Sequence, residues 1–266
     1  MSRFGKIELS DPQVEQNQLR FLTFQSPALG GRGDVSLFIP PNCEGVTNLP
    51  LVILLHGVYC SHWSWSFKGH AHLTAADMIT SGEIPPMVLA MPSDGLWAEG
   101  SGYLPHATAD YEAWIVEDVI ECVGEVVEQI GDSVFIAGLS MGGYGALRLG
   151  AKYPERFQGI SAHSSVTCGA DLQQLITQEP LPFIVNHPDE LNVLYWMQKN
   201  QQTLPPFRFD CGLEDSLLAK NKELHQQLLE NNIDHQYEEF PGAHKWPYWA
   251  EHLRDTLTFF GDILNQ

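Results

Sequence analysis

The chain has 266 residues, 44% of them apolar, so it can bury a large core without disulfides or structural metal ions. Its 33 Asp and Glu against 14 Lys and Arg give a formal net charge of −19, which argues against nucleic acid or an anionic membrane as the partner and favours neutral small molecules over polyanionic ones. The five cysteines are scattered without a CxxC pair, which argues against a disulfide framework or a cysteine zinc site.

The N-terminal residues, Met1 to Gln13, lack the apolar core of a signal peptide. The longest near-continuous apolar run, Leu49 to Leu55, is far shorter than the ~18 residues needed to span a bilayer. We therefore expect a cytoplasmic protein without membrane contact. No repeat, low-complexity segment or shift in composition marks a linker, so residues 1–266 are expected to form a single domain. A homo-oligomer is compatible with this composition.

The predicted elements begin with two short strands, Leu19 to Phe24 and Val35 to Ile39, separated by a glycine-containing hairpin turn. From Leu49 onward, buried apolar runs alternate with amphipathic stretches, a pattern typical of βα units and a largely parallel sheet. The runs are Leu51 to Leu55, Met87 to Met91, Val134 to Ala137, Ile160 to His163 and Phe207 to Cys211.

Apolar residues spaced by three and four predict helices between these strands. One predicted helix has on one face Ile115, Val119, Val123, Val126 and Ile130. A half-exposed strand at 233–237 precedes a last helix, whose apolar face carries Trp249, Leu253, Leu257, Phe260 and Leu264. The predicted fold class is α/β, a doubly wound, mostly parallel central sheet with helices on both faces. Such sheets place their functional sites at the carboxyl ends of the strands.

The strongest motif is a G-x-S-x-G sequence at residues 138–142, centred on Ser140. It directly follows the predicted strand Val134 to Ala137 and precedes a helical stretch from Tyr144 to Lys152. A nucleophile elbow requires this strand, turn and helix, and it requires small neighbours because the serine backbone is strained. Ser140 is therefore the candidate nucleophile, and the alternative is a glycine-rich structural turn.

A serine hydroxyl needs a base to accept its proton and an acid to hold that base. In this kind of sheet the order along the chain is serine, acid, histidine. Of the five histidines after Ser140, His244 lies in a turn between the last strand and the last helix, where such a base is expected. The others are expected to be structural or to precede the acid: His163, His187, His225 and His235.

The end of the strand Phe207 to Cys211 and the turn after it contain three candidate acids. Asp215 is favoured because it lies shortly beyond Gly212, where the chain can turn. Asp210 is expected to lie within the strand, and Glu214 is the remaining competitor. Alternatively, Asp215 caps the helix that follows.

Acyl chemistry also needs two N–H donors for the negatively charged oxygen that develops during attack. The backbone of Met141, directly after the serine, is the first candidate. The second is expected from the loop after the strand Leu51 to Leu55, where the N–H of Val58 is favoured over that of Gly57. His56 is expected to orient this loop.

Aromatic residues are frequent in the loops predicted at the same end of the sheet, where they could form the wall of a substrate site. The candidates are Tyr59, Trp63, Trp65, Trp97 and Tyr103, and the alternative for each is a place in the core. The pair His70 and His72 lacks a third ligand, so neither a metal ion nor another cofactor is expected.

Four segments, in this order, carry a family resemblance: Leu54 to Gly57, Gly138 to Gly143, Asp210 to Asp215 and Pro241 to Trp246. Together they resemble the esterase D, S-formylglutathione hydrolase and tributyrin esterase group of α/β-hydrolases, which is related to feruloyl esterases and the antigen 85 mycolyltransferases. The resemblance extends over nearly the whole chain.

The resemblance implies an α/β-hydrolase fold and a serine carboxylesterase that hydrolyses small or short-chain acyl esters through an acyl-enzyme on Ser140. It implies a catalytic triad of Ser140, Asp215 and His244, with Val58 and Met141 as the oxyanion donors. Two alternatives stay open: an acyltransferase of the same fold that uses another alcohol as acceptor, and a hydrolase-fold binding protein without catalysis.

Overall fold

The structure, a computed structural model, describes residues 2–43, 45–176 and 183–266. Its strands are β1 (Ile7–Leu9), β2 (Leu19–Ser26), β3 (Gly31–Phe38), β4 (Leu49–Leu55), β5 (Val88–Pro92), β6 (Ile130–Leu139), β7 (Gly159–His163), β8 (Phe207–Gly212) and β9 (Gln236–Phe240). Its α-helices are α1 (Ser64–Phe67), α2 (Ala71–Ser81), α3 (Tyr111–Ala113), α4 (Ile120–Val126), α5 (Met141–Lys152), α6 (Gly169–Leu175), α7 (Val193–Lys199), α8 (Leu218–Glu230) and α9 (Trp246–Leu264).

The strands of this part of the chain form one sheet with the order β1-β2-β3-β5-β4-β6-β7-β8-β9. The strands β1, β2 and β3 pair antiparallel, and β3 also runs antiparallel to β5. From β5 across to β9, every neighbouring pair is parallel. The predicted α/β class with a mostly parallel sheet is therefore confirmed.

Helices cover both faces of the sheet, as predicted. On one face, α2 and α9 contribute Met78 and Leu253 to a buried cluster that also contains Leu54 of β4. On the other face, α5 and α7 contribute Leu147 and Met197 to the second core. Burial on both faces explains why the sequences of β4 and β5 are almost entirely apolar. No helix among the described residues is both long enough and apolar enough to cross a membrane.

The helix predicted through Ile130 ends earlier than expected. A π-helical turn, Trp114–Val119, leads into α4, and Ile130 is already the first residue of β6, paired with Leu49 of β4. Gly131 fixes this entry, because a Cβ there would come within 2.6 Å of Asn48 Cα. Ile130 follows Val126 at the four-residue spacing of the predicted helix, although it begins a strand. The periodicity alone therefore did not show where the helix ends.

The parallel strands bring the predicted site segments to one edge of the sheet. Ser140 directly follows β6, Asp215 follows β8, and His244 lies between β9 and α9. The loop after β4 begins at His56 and approaches the same edge, because β4 is hydrogen-bonded to β6.

Candidate active site

Ser140 occupies a strained turn between β6 and α5, with φ 55° and ψ −118°. The turn closes only because its neighbours lack side chains. A Cβ on Gly138 would lie 2.2 Å from the carbonyl oxygen of Gly142, and one on Gly142 would lie 2.2 Å from the carbonyl oxygen of Leu55. The Ser140 N–H donates to the carbonyl oxygen of His163 at 3.0 Å, which fixes the elbow to β7.

His244 connects the serine to an acid. Its Nε2 lies 3.0 Å from Ser140 Oγ, and its Nδ1 lies 2.9 Å from Oδ2 and 3.1 Å from Oδ1 of Asp215. The structure therefore brings together the three side chains that the sequence singled out as nucleophile, base and acid. With Nδ1 protonated towards the carboxylate, Nε2 is free to accept the serine proton.

The Asp215 carboxylate is enclosed, since none of its side chain is exposed. Burial raises the pKa of this group, but the hydrogen bonds from His244 and from the Leu217 N–H outweigh burial, so the pKa lies below its ordinary value. The Leu217 N–H donates to Oδ1 at 2.8 Å, so Asp215 also holds the turn before α8. This bond does not cap the helix, because the N-cap residue of α8 is Leu217 and no side chain forms a cap hydrogen bond there. An ionised carboxylate is the form that can hold an imidazolium.

The competing acids and bases lie elsewhere. Asp210 is fully buried and accepts hydrogen bonds from Arg208 at 2.9 Å and Tyr248 at 2.7 Å, and it pairs with His163 at 2.8 Å. This network lies beneath the elbow and does not reach Ser140 Oγ. Glu214 is exposed and accepts from the Gly242 N–H.

The remaining histidines are engaged in other contacts. The rings of His225 and His235 pair with each other at 2.8 Å. The exposed His187 lies 3.2 Å from Asp189. None of these three faces the serine.

Two backbone N–H groups near Ser140 are available to donate hydrogen bonds to a developing oxyanion. The N–H of Met141 begins α5 and that of Val58 lies in the loop after β4, and neither donates to another of the described residues. Gly57 permits this loop to approach, because a Cβ there would lie 3.2 Å from the Ser140 Cβ. The positive end of the α5 dipole adds to the attraction for an anion.

A hydrogen-bond network holds the loop after β4. His56 Nδ1 lies 2.7 Å from the carbonyl oxygen of Gly57. Tyr103 donates from its hydroxyl to the carbonyl oxygen of His56 at 3.0 Å, and Trp65 donates from its indole N–H to that of Leu55 at 3.0 Å. The loop is therefore anchored on both sides of the residue predicted to orient it.

Comparison with known proteins matches residues 26–260 to the model of the Esterase family. The chain belongs to the Esterase family. The predicted enzyme class, a serine esterase, and the resemblance from which it was inferred are thereby confirmed.

Individual relatives agree with this assignment. An acetyl esterase of Caldicellulosiruptor saccharolyticus is 27% identical over 236 residues, which cover 81% of this chain and 85% of the relative. An S-formylglutathione hydrolase of Paracoccus denitrificans is 25% identical over 154 residues, which cover 53% of this chain and 55% of the relative. The solved structure of FphF, a fluorophosphonate-binding serine hydrolase of Staphylococcus aureus, has the same fold, with a TM-score of 0.79 and 22% identity over 90% of this chain and 96% of that one.

The esterase has a cavity of ≈ 460 Å³ that Ser140 and His244 line. Gly57, Val58 and Tyr59 line it, and the side chain of Tyr59 is 79% exposed. Its other lining residues are Cys60, Lys68, Leu139, Ser140, His244, Lys245, Trp246, Pro247 and Trp249.

Three of the aromatic residues predicted to contact substrate, Trp63, Trp65 and Tyr103, lie outside the lining of this cavity. Trp65 is 1% exposed and Tyr103 is fully buried, because each uses its polar atom to anchor the loop backbone. Trp63 is 42% exposed, but it also lies outside the cavity lining. Trp97 packs edge-on against His106, with ring centroids 4.7 Å apart.

The residues missed by the sequence reasoning come from the start of α9 and the end of α1. Trp249 presents its ring edge-on to His244, with centroids 4.9 Å apart, and Trp246 packs in the same way against Trp249 at 5.4 Å. Lys245 and Trp246 directly follow His244, so their position beside the base was a usable signal. Lys68 has no such signal, because only the packing of α1 brings it to this wall.

Within the described part of the esterase, no group of three or more His, Cys, Asp or Glu side chains is arranged to hold a metal ion. The arrangement of Ser140, His244 and Asp215 beside two unpaired N–H groups is one that can support acyl transfer.

Proposed function

We propose that this esterase hydrolyses small or short-chain acyl esters through an acyl-enzyme on Ser140. The observation that carries the proposal is the unbroken connection from Ser140 Oγ to His244 at 3.0 Å and on to Asp215 at 2.9 Å, at the surface of an open cavity.

In the first step, Ser140 Oγ attacks the ester carbonyl carbon and His244 Nε2 takes the serine proton. The carbonyl oxygen becomes an anion between the N–H groups of Val58 and Met141. The imidazolium, held by the Asp215 carboxylate, then gives its proton to the leaving alcohol, and the acyl group stays on Ser140.

In the second step, water takes the position of the departed alcohol. His244 accepts a proton from this water as it attacks the acyl carbon, and the same oxyanion position is used again. Collapse returns the proton to Ser140 Oγ and releases the carboxylic acid, so the enzyme regains its starting state.

The size of the cavity supports the preference for short acyl groups. A space of ≈ 460 Å³ shared between the acyl and alcohol parts of a substrate does not enclose a long alkyl chain. We expect rates to fall from acetyl and butyryl to octanoyl and palmitoyl esters of the same phenol, and equal rates on the palmitoyl ester would contradict this part of the proposal.

A burst experiment tests the acyl-enzyme. Rapid mixing with p-nitrophenyl acetate is expected to release one equivalent of nitrophenol quickly, followed by slower steady turnover, and mass spectrometry of the quenched enzyme should find the acetyl group on the peptide containing Ser140. Ser140→Ala should abolish both signals and keep the circular dichroism of the folded enzyme. Undiminished turnover by that variant would reject Ser140 as the nucleophile.

A further inference from the structure

The charge of the site cavity is opposite to that of the chain. Asp and Glu outnumber Lys and Arg by 33 to 14 over the whole sequence. The described residues that line the cavity nevertheless include Lys68 and Lys245 and no Asp or Glu. Local charges decide which ligands a cleft attracts, even where the total charge has the other sign.

Neither of these lysines is neutralised by a neighbour. Among the described residues, neither Lys68 nor Lys245 is within ion-pair distance of a carboxylate, whereas nine of the other basic residues are: Arg3, Lys6, Arg20, Arg148, Lys152, Arg208, Lys220, Lys222 and Arg254. Both ammonium groups are therefore available to a ligand.

The acidic groups next to the site have other partners. The Asp215 carboxylate is buried behind His244, and Glu214 accepts from the Gly242 N–H at 2.5 Å. Glu99 lies next to the exposed ring of Tyr59, whose hydroxyl is 3.4 Å from Oε1. None of these three acids lines the cavity.

Lys68 contacts an aromatic wall of the cavity. Its Nζ lies 5.5 Å from the ring centroid of Trp246, a cation–π contact that keeps the ammonium group over the indole. Gly69 lets that indole approach, because a Cβ there would lie 2.9 Å from its ring. Trp246 packs edge-on against Trp65 as well, with centroids 5.6 Å apart. The exposed Lys68 ammonium group therefore has a packed indole beside it at the edge of the cavity.

The lysines lie on the side of the cavity where the leaving group is expected. The base gives its proton to the departing oxygen, so the alcohol part of a substrate lies next to the imidazole. Lys245 directly follows His244 in the chain. Trp249 packs on the His244 imidazole, and Trp246 and Trp249 line the cavity together with Lys245.

We propose that Lys68 and Lys245 make this enzyme selective for esters, or thioesters, whose leaving alcohol or thiol carries a carboxylate or phosphate group. The proposal rests on the function proposed above and names its substrate class. It replaces the preference for neutral molecules that the net charge alone suggested.

Paired substrates test the proposal in the wild-type enzyme. The neutral reference is the acetyl ester of methyl para-hydroxybenzoate, the carboxylate probe is the acetyl ester of para-hydroxybenzoate, and the phosphate probe is the acetyl ester of hydroquinone monophosphate. Each kcat/KM is divided by the rate constant for hydroxide hydrolysis of the same ester, which removes differences in intrinsic reactivity. We expect at least one anionic probe to exceed the neutral reference about tenfold at low salt, and the larger ratio identifies the anion. The ratio should fall as salt is added.

Variants assign the effect to the two lysines. Lys68→Gln and Lys245→Gln are each expected to lower the anionic-to-neutral ratio about threefold or more, and Lys68→Glu should lower it further. Lys199→Gln is the matched control, because Lys199 Nζ also lies over an indole, 4.7 Å from the Trp196 centroid, but outside the cavity. The control should leave the ratio unchanged.

A second substrate pair locates the charge. The phenyl monoester of adipic acid places a carboxylate on the acyl side, and its methyl ester is the neutral counterpart. We expect no preference between these two, and a preference for the acyl-side anion would overturn the assignment to the leaving group. If the wild-type enzyme hydrolyses the neutral reference but both anionic-to-neutral ratios are near one, the anion selectivity is overturned and the esterase proposal stands. Failure to hydrolyse any ester would overturn both.

Discussion

The backbone N–H of Asp94 donates a hydrogen bond to His56 Nε2 at 3.1 Å. Nε2 is therefore an acceptor, and the ring proton is on Nδ1, which donates to the carbonyl oxygen of Gly57. Burial lowers the pKa of His56 although the Asp94 carboxylate favours protonation, which agrees with a neutral ring. Because the C=O and N–H of a trans peptide point in opposite directions, this bond also sets the direction of the Val58 N–H.

Removal of this ring should therefore impair the proposed oxyanion hole. We expect His56→Ala to lower kcat for p-nitrophenyl acetate about tenfold to hundredfold with a smaller change in KM, since the donor matters most in the transition state. Tyr103→Phe, which removes only the bond to the His56 carbonyl oxygen, should have a smaller effect on kcat. Steady-state kinetics on variants with native circular dichroism checks both, and an unchanged kcat for His56→Ala would contradict the orienting role.

Asp215→Asn should lower kcat strongly while the fold persists. The amide keeps the shape of the carboxylate but can donate to Nδ1, which favours the tautomer with the proton on Nε2 and leaves no base for Ser140. We expect a loss of about 10³-fold or more in kcat. Comparison of thermal unfolding with that of wild type controls for misfolding. Retention of kcat within tenfold would indicate that another acid supports His244.

The glycines of the elbow should tolerate no side chain. Gly138→Ala and Gly142→Ala each place a Cβ 2.2 Å from a backbone oxygen, so the turn must open or the chain must shift. We expect each variant to lose more than about 3 kcal/mol of unfolding free energy, or to fail to fold. Gly124→Ala is the control, because a Cβ in that helix meets nothing within 4 Å, and it should stabilise the protein by about 0.5 to 1 kcal/mol in urea unfolding.

Glu112 should contribute stability that depends on pH. This buried carboxylate accepts hydrogen bonds from Arg148, Lys152 and Tyr153. Burial raises its pKa, but the two cations and their hydrogen bonds outweigh burial and hold the pKa below its ordinary value of 4.5. The contribution is therefore complete above about pH 4.5 and is lost as the pH falls through the lower pKa of the folded state.

The corresponding measurement is urea unfolding of Glu112→Gln at several pH values. At neutral pH we expect a loss of about 3 kcal/mol, because Arg148 is left buried without its charge partner. The difference from wild type should shrink as the pH falls below 4.5. Glu223→Gln, at an exposed helical position, should change stability by less than about 0.5 kcal/mol at every pH. A pH-independent loss for Glu112→Gln would exclude this account.

The central parts of the parallel strands β4 to β8 and the places of the three proposed catalytic side chains could be inferred from the sequence because they rest on local patterns. The strand β1 was missed, and the last strand was expected at 233–237 but lies at Gln236–Phe240. A buried parallel strand is apolar throughout, and the elbow needs glycines on both sides of Ser140. The order serine, acid, histidine then selected Asp215 and His244 by their places in turns. Each of these inferences uses a few adjacent residues.

The cavity wall could not be inferred in this way, because it depends on which face of a loop turns inward. Trp65 and Tyr103 belong to segments that the sequence places at the site end of the sheet. Both side chains are nevertheless buried, and their polar atoms donate to the backbone of the loop after β4. Lys68 and Trp249 reach the wall only through the packing of α1 and α9. Side-chain direction in irregular segments is set by tertiary contacts, which periodicity does not encode.

The strand β7 lies between β6, which ends at the serine, and β8, which leads to Asp215. Neighbouring strands are about 4.8 Å apart, so the two strand ends are separated by roughly 10 Å, too far for direct proton exchange. A single ring on the loop after β9 bridges that gap. In the proposed reaction the scaffold can therefore stay rigid through a whole turnover, since a small rotation of one imidazole suffices to carry the proton from the attacking oxygen to the departing one.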